Sequence, residues 1–277
     1  MPAELPDRLK LGEYKLDRLL GRGGSGTVYR GFDPETNQVV AIKLFHENFF
    51  SSKSHVKELA RSAVHFRKFD HPNVVKTYGF FSCDDGHCLV MEYVDGPDMK
   101  WYIENRPWNL QERLVIIAQI CNGLQYIHDQ GYTHHDLKPG NILFTRKGQA
   151  KVSDYSLSRA RLFGMLGGSL KEQITPMYVA PEIIADGKAS PKSDMYSLGV
   201  TLYYLFTGQL PYQADSLQKL YMCHLRTKPE HPSNINRRCP RPLGDIIMRM
   251  LEKNPDKRFE SFDELRIRLS DIGQSRI

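Results

Sequence analysis

Long apolar runs are missing from this 277-residue chain. No stretch reaches the roughly 18 consecutive apolar residues that a membrane-crossing helix needs. The opening Met1-Pro-Ala-Glu-Leu-Pro-Asp also lacks the basic start and apolar core of a secretory leader. Both absences point to a cytoplasmic protein with no membrane segment. Charge of one sign is missing too. Lys and Arg number 38 against 32 Asp and Glu, a net charge of +6 with the signs interspersed. That pattern excludes the basic stripe of a nucleic-acid binder, and no nucleic-acid partner is expected. The five cysteines are odd in number and fit no zinc spacing. Cys83 and Cys88 flank the turn Asp84-Asp85-Gly86-His87, so their sulfurs could approach, but reduced thiols are the simpler reading. Internal repeats and low-complexity tracts are also lacking.

What is present changes character along the chain. The first third reads as strands: Tyr14–Leu20, then glycines at 21, 23, 24 and 26, then Thr27–Phe32 and Gln38–Phe45. Lys53–Lys68 has helical spacing, and two more strand-like runs, Val74–Phe80 and Cys88–Val94, follow it. Beyond Asp95-Gly-Pro, amphipathic stretches dominate: Leu110–His128, Ser193–Phe206, Leu243–Glu252 and Phe262–Ile272. Strands first and helices after give an α+β chain of two lobes, with a hinge near residues 92–96.

Three segments carry chemistry. Gly21-Arg-Gly-Gly-Ser-Gly-Thr-Val sits between two strands. Positions without side chains, at Gly21, Gly23 and Gly26, let backbone N–H groups approach phosphate oxygens, although a plain glycine hairpin turn reads the same. Lys43, seventeen residues after Gly26, lies on an apolar strand, where a buried ammonium needs an anion; otherwise its stem lies along the sheet and its charge reaches water. His134-His-Asp-Leu-Lys-Pro-Gly-Asn141 puts Asp136, Lys138 and Asn141 on one loop, and Asp154 follows thirteen residues later. An aspartate can orient a hydroxyl and take its proton, a lysine can neutralise a moving phosphoryl, and an asparagine oxygen and a carboxylate can hold a metal ion. Either carboxylate alone could be a turn cap.

Taken in order, these segments resemble the protein-kinase signature set, which is a general template for phosphoryl transfer. Ala180-Pro-Glu, Asp194-Met-Tyr-Ser-Leu-Gly and Asn254-Pro-Asp-Lys-Arg-Phe extend the resemblance over roughly residues 14–270. The resemblance implies a two-lobed eukaryotic-type serine/threonine kinase of bacterial character. Its parts would be an extension over residues 1–13, an N-lobe over 14–94 and a C-lobe over 95–273. Asp136 and Lys138 would be catalytic, and Asn141 and Asp154 would hold Mg²⁺, or Mn²⁺ in its place. ATP would lie in a slot between lobes, contacted by the three glycines, Val28, Ala41, Lys43, Met91, Glu92, Val94 and Asp98. Arg258 would pair with Glu182. Protein serines and threonines would be the acceptors, those of the chain itself included. The serine/threonine class rests on Lys138 and Thr175.

Three positions depart from the family's pattern. His135 precedes Asp136 where arginine is usual. Tyr155-Ser156 follows Asp154 where Phe-Gly is usual. Ser62 stands where the N-lobe helix usually carries a glutamate, and Glu58 lies one turn earlier. These departures keep open a second reading, a pseudokinase acting as a nucleotide-binding or scaffolding module. With His135 a weak phosphate partner and Lys171 in the activation segment, activity is expected without activation-loop phosphorylation, Ser169 being the best remaining acceptor there.

Overall fold

A computed structural model describes residues 10–50, 52–155 and 175–274. Among these, residues 10–95 form one compact unit, and residues 96–155 with 175–274 form a second.

The first unit is a six-stranded antiparallel sheet with one main helix. Its strands are β1 (Lys10–Leu11), β2 (Tyr14–Gly23), β3 (Gly26–Phe32), β4 (Val39–Phe45), β5 (Thr77–Cys83) and β6 (Gly86–Glu92), in the order β1-β2-β3-β4-β6-β5. Helix α1 (Lys53–Phe66) connects β4 to β5, its first turn capped by Ser52, whose hydroxyl accepts the His55 N–H. Loop chemistry fixes the β3–β4 register. The Asp33 carboxylate accepts the N–H groups of Glu35 and Thr36 at 3.0 and 2.8 Å, and Asn37 takes the left-handed φ of 56° that closes the turn. Tyr14 stacks on Phe81 at 5.3 Å between ring centroids, so the sheet curls until its second and last strands touch. Leu16, Val40, Ile42, Cys88 and Val90 fill the space inside.

Two strand expectations shift by a few residues. β5 starts at Thr77 rather than Val74, because the Val74 N–H is bonded to the His71 carbonyl in the turn that leaves α1. β6 runs from Gly86 to Glu92, and its last N–H goes to the Lys76 carbonyl, which ends the ladder.

The second unit is mainly helical: α2 (Met99–Asn105), α3 (Leu110–Asp129), α4 (Pro181–Asp186), α5 (Pro191–Thr207), α6 (Leu217–Arg226), α7 (Pro232–Ile235), α8 (Arg241–Met250) and α9 (Phe262–Gln274), with a two-stranded ribbon of β7 (Ile142–Phe144) and β8 (Ala150–Val152). Helix α5 is buried on nearly every face and is the core of this unit. A reciprocal capping box, Asn109 with Glu112 at 2.9 Å each way, starts α3, and α3 packs along α9. The α+β class read from the sequence is the one observed.

Candidate active site

The loop after α3 is held from below by one carboxylate. Asp194, at the N-terminal end of α5 and fully buried, accepts the N–H groups of His134 and His135 at 2.7 and 2.8 Å and the His128 ring Nε2–H at 2.8 Å. Burial alone would raise this carboxyl; the hydrogen bond from His128 and the nearby imidazoles outweigh it and hold Asp194 below the usual aspartate value. His134 is fully buried, and burial outweighs the neighbouring carboxylates to hold its pKa below that of an ordinary imidazole. Its bonds fix the neutral tautomer: Nε2–H donates to the Ser153 carbonyl at 2.7 Å, and Nδ1 accepts the Asp136 N–H at 3.3 Å. His135 takes a φ of +65°, with its ring on the Thr133 hydroxyl. This left-handed residue turns the chain directly before Asp136.

Around Asp136 the side chains close into a small network. Lys138 Nζ donates to Asp136 Oδ2 at 2.9 Å and to the Thr175 hydroxyl at 2.6 Å. Thr175 in turn donates to Asp136 Oδ1 at 3.0 Å. Asn141 Nδ2 donates to the Asp136 carbonyl at 2.7 Å and to its Oδ2 at 3.2 Å. With both bonds made by the amide nitrogen, the Asn141 Oδ1 is left as an acceptor.

The β7–β8 ribbon brings the remaining carboxylate to the same end. Ile142 pairs with Val152, so Asn141 and Ser153 come together across the open end, where the Ser153 N–H reaches the Asn141 carbonyl at 2.9 Å. Asp154 follows directly, at a left-handed φ of 63°. An amide oxygen and a carboxylate presented by one ribbon end are hard donors of the type that Mg²⁺ or Mn²⁺ takes, and the residues present fit such an ion.

In the first unit, β3 and β4 pair Val28 with Lys43, and β4 and β6 pair Lys43 with Leu89. Lys43 is only 4% exposed, so its ammonium lies inside rather than snorkelling to water. Ala41 pairs with Met91, Glu92 Oε2 accepts the Lys76 N–H at 3.1 Å, and Val94 is buried. The glycines divide into two kinds. A Cβ on Gly26 would lie 2.2 Å from the Leu44 carbonyl oxygen, so packing against β4 requires glycine there. Around Gly21 nothing lies within 4 Å of such an atom, and Gly23 has only the Gly26 carbonyl at 4.0 Å. Side-chain packing does not account for those two glycines, which pair with Val28 and Gly26 of β3 at the hairpin's end, and a surface without side chains is what a close phosphate requires.

The Protein kinase domain family matches residues 14–266. The chain belongs to that family. Among its relatives, the serine/threonine-protein kinase PrkC of Bacillus subtilis is 31% identical over 92% of this chain and 39% of its own length. PksC of Streptomyces coelicolor, also a serine/threonine-protein kinase, is 32% identical over 92% of this chain and 48% of its own length. This kinase chain therefore spans less than half the length of these two curated relatives. The solved PknI kinase domain of Mycobacterium tuberculosis superposes with a TM-score of 0.77 at 22% identity, covering 96% of this chain and 99% of that one, which shows the fold.

All three kinase departures fall at least in part on described residues, His135 with the φ given above. Tyr155 is 2% exposed, turned inward at the position of the family's phenylalanine. On α1 of the kinase, Ser62 is buried and Glu58 half-buried; among the described residues no ion pair joins Glu58 to Lys43. Ser156, Ser169 and Lys171 lie outside the described residues. Asp98, expected near the ribose, is the N-cap of α2, accepting the Trp101 N–H at 2.8 Å. The Arg258–Glu182 pair is present and bidentate, at 2.7 and 2.9 Å, with Arg258 1% exposed and also bonded to the carbonyls of Lys192 and Glu252. Burial alone would raise the Glu182 carboxyl, but Arg258 outweighs it and the pKa is lowered. Thr175 is the side chain that sequence reasoning placed only as a class marker. Its hydroxyl bridges Asp136 and Lys138 across 37–39 residues of chain, a contact that no local spacing encodes.

Proposed function

We propose that this kinase domain transfers the γ-phosphate of ATP to serine and threonine hydroxyls of proteins. The observation that carries the reading is the single network in which Asp136, Lys138, Thr175 and Asn141 share one carboxylate. Asp136 orients the acceptor hydroxyl and takes its proton. Lys138, already on that carboxylate, can swing onto the transferring phosphoryl with little movement of its stem. Asn141 Oδ1 and the Asp154 carboxylate would hold Mg²⁺ or Mn²⁺, which when bound supplies positive charge to the phosphate oxygens. The nucleotide contacts that the family implies fall on Gly21, Gly23, Gly26, Val28, Ala41, Lys43, Met91, Glu92 and Val94 in the first unit, with Asp98 in the second. No covalent intermediate is required; the protein's contribution is placement and fixed charge.

Ser156 and His135 alter residues that other kinases use for movement and regulation, and they leave these groups in place. The domain is proposed to act in the cytoplasm, where ATP is plentiful, and autophosphorylation is an expected side reaction. No helix among the described residues is long and apolar enough to cross a membrane. Incubation with γ-labelled ATP, Mg²⁺ and a mixed protein substrate tests the proposal. Label recovered as phosphoserine and phosphothreonine, and lost on chelation of the metal, is the expected result. Nucleotide binding with no label in any protein would instead establish the pseudokinase reading.

A further inference from the structure

The β5–β6 hairpin brings two thiols together. Its strands join through Asp84 and Asp85, and the register pairs Cys83 with Gly86 and Phe81 with Cys88. Residues two apart on a strand, and residues directly across from each other, share a face. Cys83, Phe81 and Cys88 therefore lie on the same face of the sheet. Gly86, directly across from Cys83, has no side chain and takes a φ of 127°. The next side chain on that face of β6 is Cys88, diagonally across from Cys83. Cys88 is fully buried in the inner cluster with Leu16, Val40, Ile42 and Val90, and Cys83 packs against the edge of that cluster, half-exposed.

The two sulfurs are in hydrogen-bonding contact, the Cys88 thiol donating to the Cys83 sulfur. Burial first, then Cys83 and Asp85, push the Cys88 thiol up to about 12, so it keeps that hydrogen at neutral pH. Packing explains only one of the pair. Cys88 fills core space as a small apolar residue does, but Cys83 is only partly covered and removes little apolar area from water. The remaining cysteines are free as well, and each sits on a different element of the second unit: Cys121 on α3, Cys223 on α6 and Cys239 just before α8.

We propose that Cys83 and Cys88 form a reversible modification site for hydroperoxides, at which oxidation closes the hairpin with a disulfide. Cys83 reaches solvent and meets the oxidant first. Its sulfur attacks one peroxide oxygen. The O–O bond breaks, a sulfenic acid forms, and the other oxygen leaves as water with the thiol proton. The Cys88 sulfur then attacks the Cys83 sulfur. The S–S bond forms, the S–O bond breaks, and the hydrogen that Cys88 already directs at its neighbour leaves with the hydroxyl as a second water. In balance, two thiols and one hydrogen peroxide give one disulfide and two waters. A dithiol reverses the change by exchange. In a reducing compartment such a bond is transient and reports oxidant rather than holding the fold. Cys88 directly precedes Leu89, the ladder partner of Lys43, so the linkage forms beside the strand pair that carries the buried lysine.

Peptide mapping of the whole chain tests this. The reduced protein, freed of reductant, is exposed to hydrogen peroxide at a dose that oxidises free glutathione, then blocked with N-ethylmaleimide and digested with trypsin. Cys83 and Cys88 fall on one tryptic segment, residues 77–100. That segment should lose two hydrogens and escape the label, and dithiothreitol added before blocking should restore both labels. Cys88→Ser, or Cys88→Ala if the serine variant fails to fold, should halt at Cys83 with one or two added oxygens. Cys83→Ser should leave Cys88 labelled. Both thiols still labelled in the oxidised unaltered protein would overturn the proposal. So would oxygens added at Cys83 with Cys88 still labelled, or a disulfide that joins either cysteine to Cys121, Cys223 or Cys239.

Discussion

The glycine hairpin of the first unit and the Asp136 loop of the second solve opposite problems. The loop is crowded. Asp136 carries bonds from Lys138, Thr175 and Asn141, and the backbone beneath it is clamped by fully buried Asp194. The hairpin is open: a side-chain carbon added at Gly21 or Gly24 would meet nothing within 4 Å, and one at Gly23 only the Gly26 carbonyl at 4.0 Å. A side chain with every bond satisfied can have a catalytic role and a structural one together, so its loss mixes the two. A glycine with empty space around it has no structural task to lose. Function in the loop therefore has to be separated by chemistry, whereas in the hairpin it can be read by elimination.

The largest effect should come from the loop. Asp154→Asn keeps the shape of the side chain but removes one charge from the carboxylate proposed to hold the metal ion. Phosphotransfer should fall on the order of 10²–10³-fold with the melting temperature nearly unchanged. Full activity in this variant, measured with saturating Mg²⁺, would remove Asp154 from the metal site.

Next comes a buried pair with no part in chemistry. Arg258→Ala leaves the half-buried Glu182 carboxylate with only the Ser193 hydroxyl as a side-chain donor, at a cost of up to about 3 kcal/mol in denaturant unfolding. The pH dependence follows from the sign of the shift. Glu182 is lowered in the folded state, so its contribution is present above the unfolded carboxylate value and lost as pH falls through the folded one. Glu182→Gln should therefore be less stable than the unaltered protein at neutral pH, and the gap should close on acidification. A gap independent of pH would contradict the pairing.

The hairpin supplies an internal contrast. Gly26→Ala must displace the Leu44 carbonyl and should destabilise by about 1–3 kcal/mol. Gly23→Ala meets nothing closer than 4.0 Å and should leave stability within about 1 kcal/mol, while weakening ATP binding. Equal stability losses in the two would erase the distinction between packed and open glycines. Smallest of all should be Glu58→Gln. Without an ion pair to Lys43, it should change turnover by no more than about twofold, as for a solvated carboxylate. A large loss with nucleotide bound would show that α1 brings Glu58 to Lys43.

How much of this was legible in the sequence depended on distance along the chain. Apolar patterning located α1, α3, α5, α8 and α9 to within a few residues, because α1, α3, α8 and α9 carry an apolar face and α5 is a nearly continuous buried run. Motif spacing located Asp136, Lys138 and Asn141, which share one loop. The seven-residue α2 was missed: it is too short for a period to show, and its signal is the Asp98 cap. The bridging of Thr175 to Asp136 and Lys138 was also out of reach, since two anchored loops far apart in sequence had to fold before the hydroxyl met its partners. The clash at Gly26 had the same origin: the motif marks three glycines alike, and only the β3–β4 pairing tells them apart.

The central claim is that the Asp136 loop performs chemistry rather than binding. It is tested most directly by measuring ATP affinity and γ-phosphate transfer in parallel for Asp136→Asn. The account predicts an unchanged Kd for MgATP and a loss of transfer on the order of 10²–10⁴-fold. Loss of nucleotide binding in step with transfer, or transfer that survives the substitution, would contradict it.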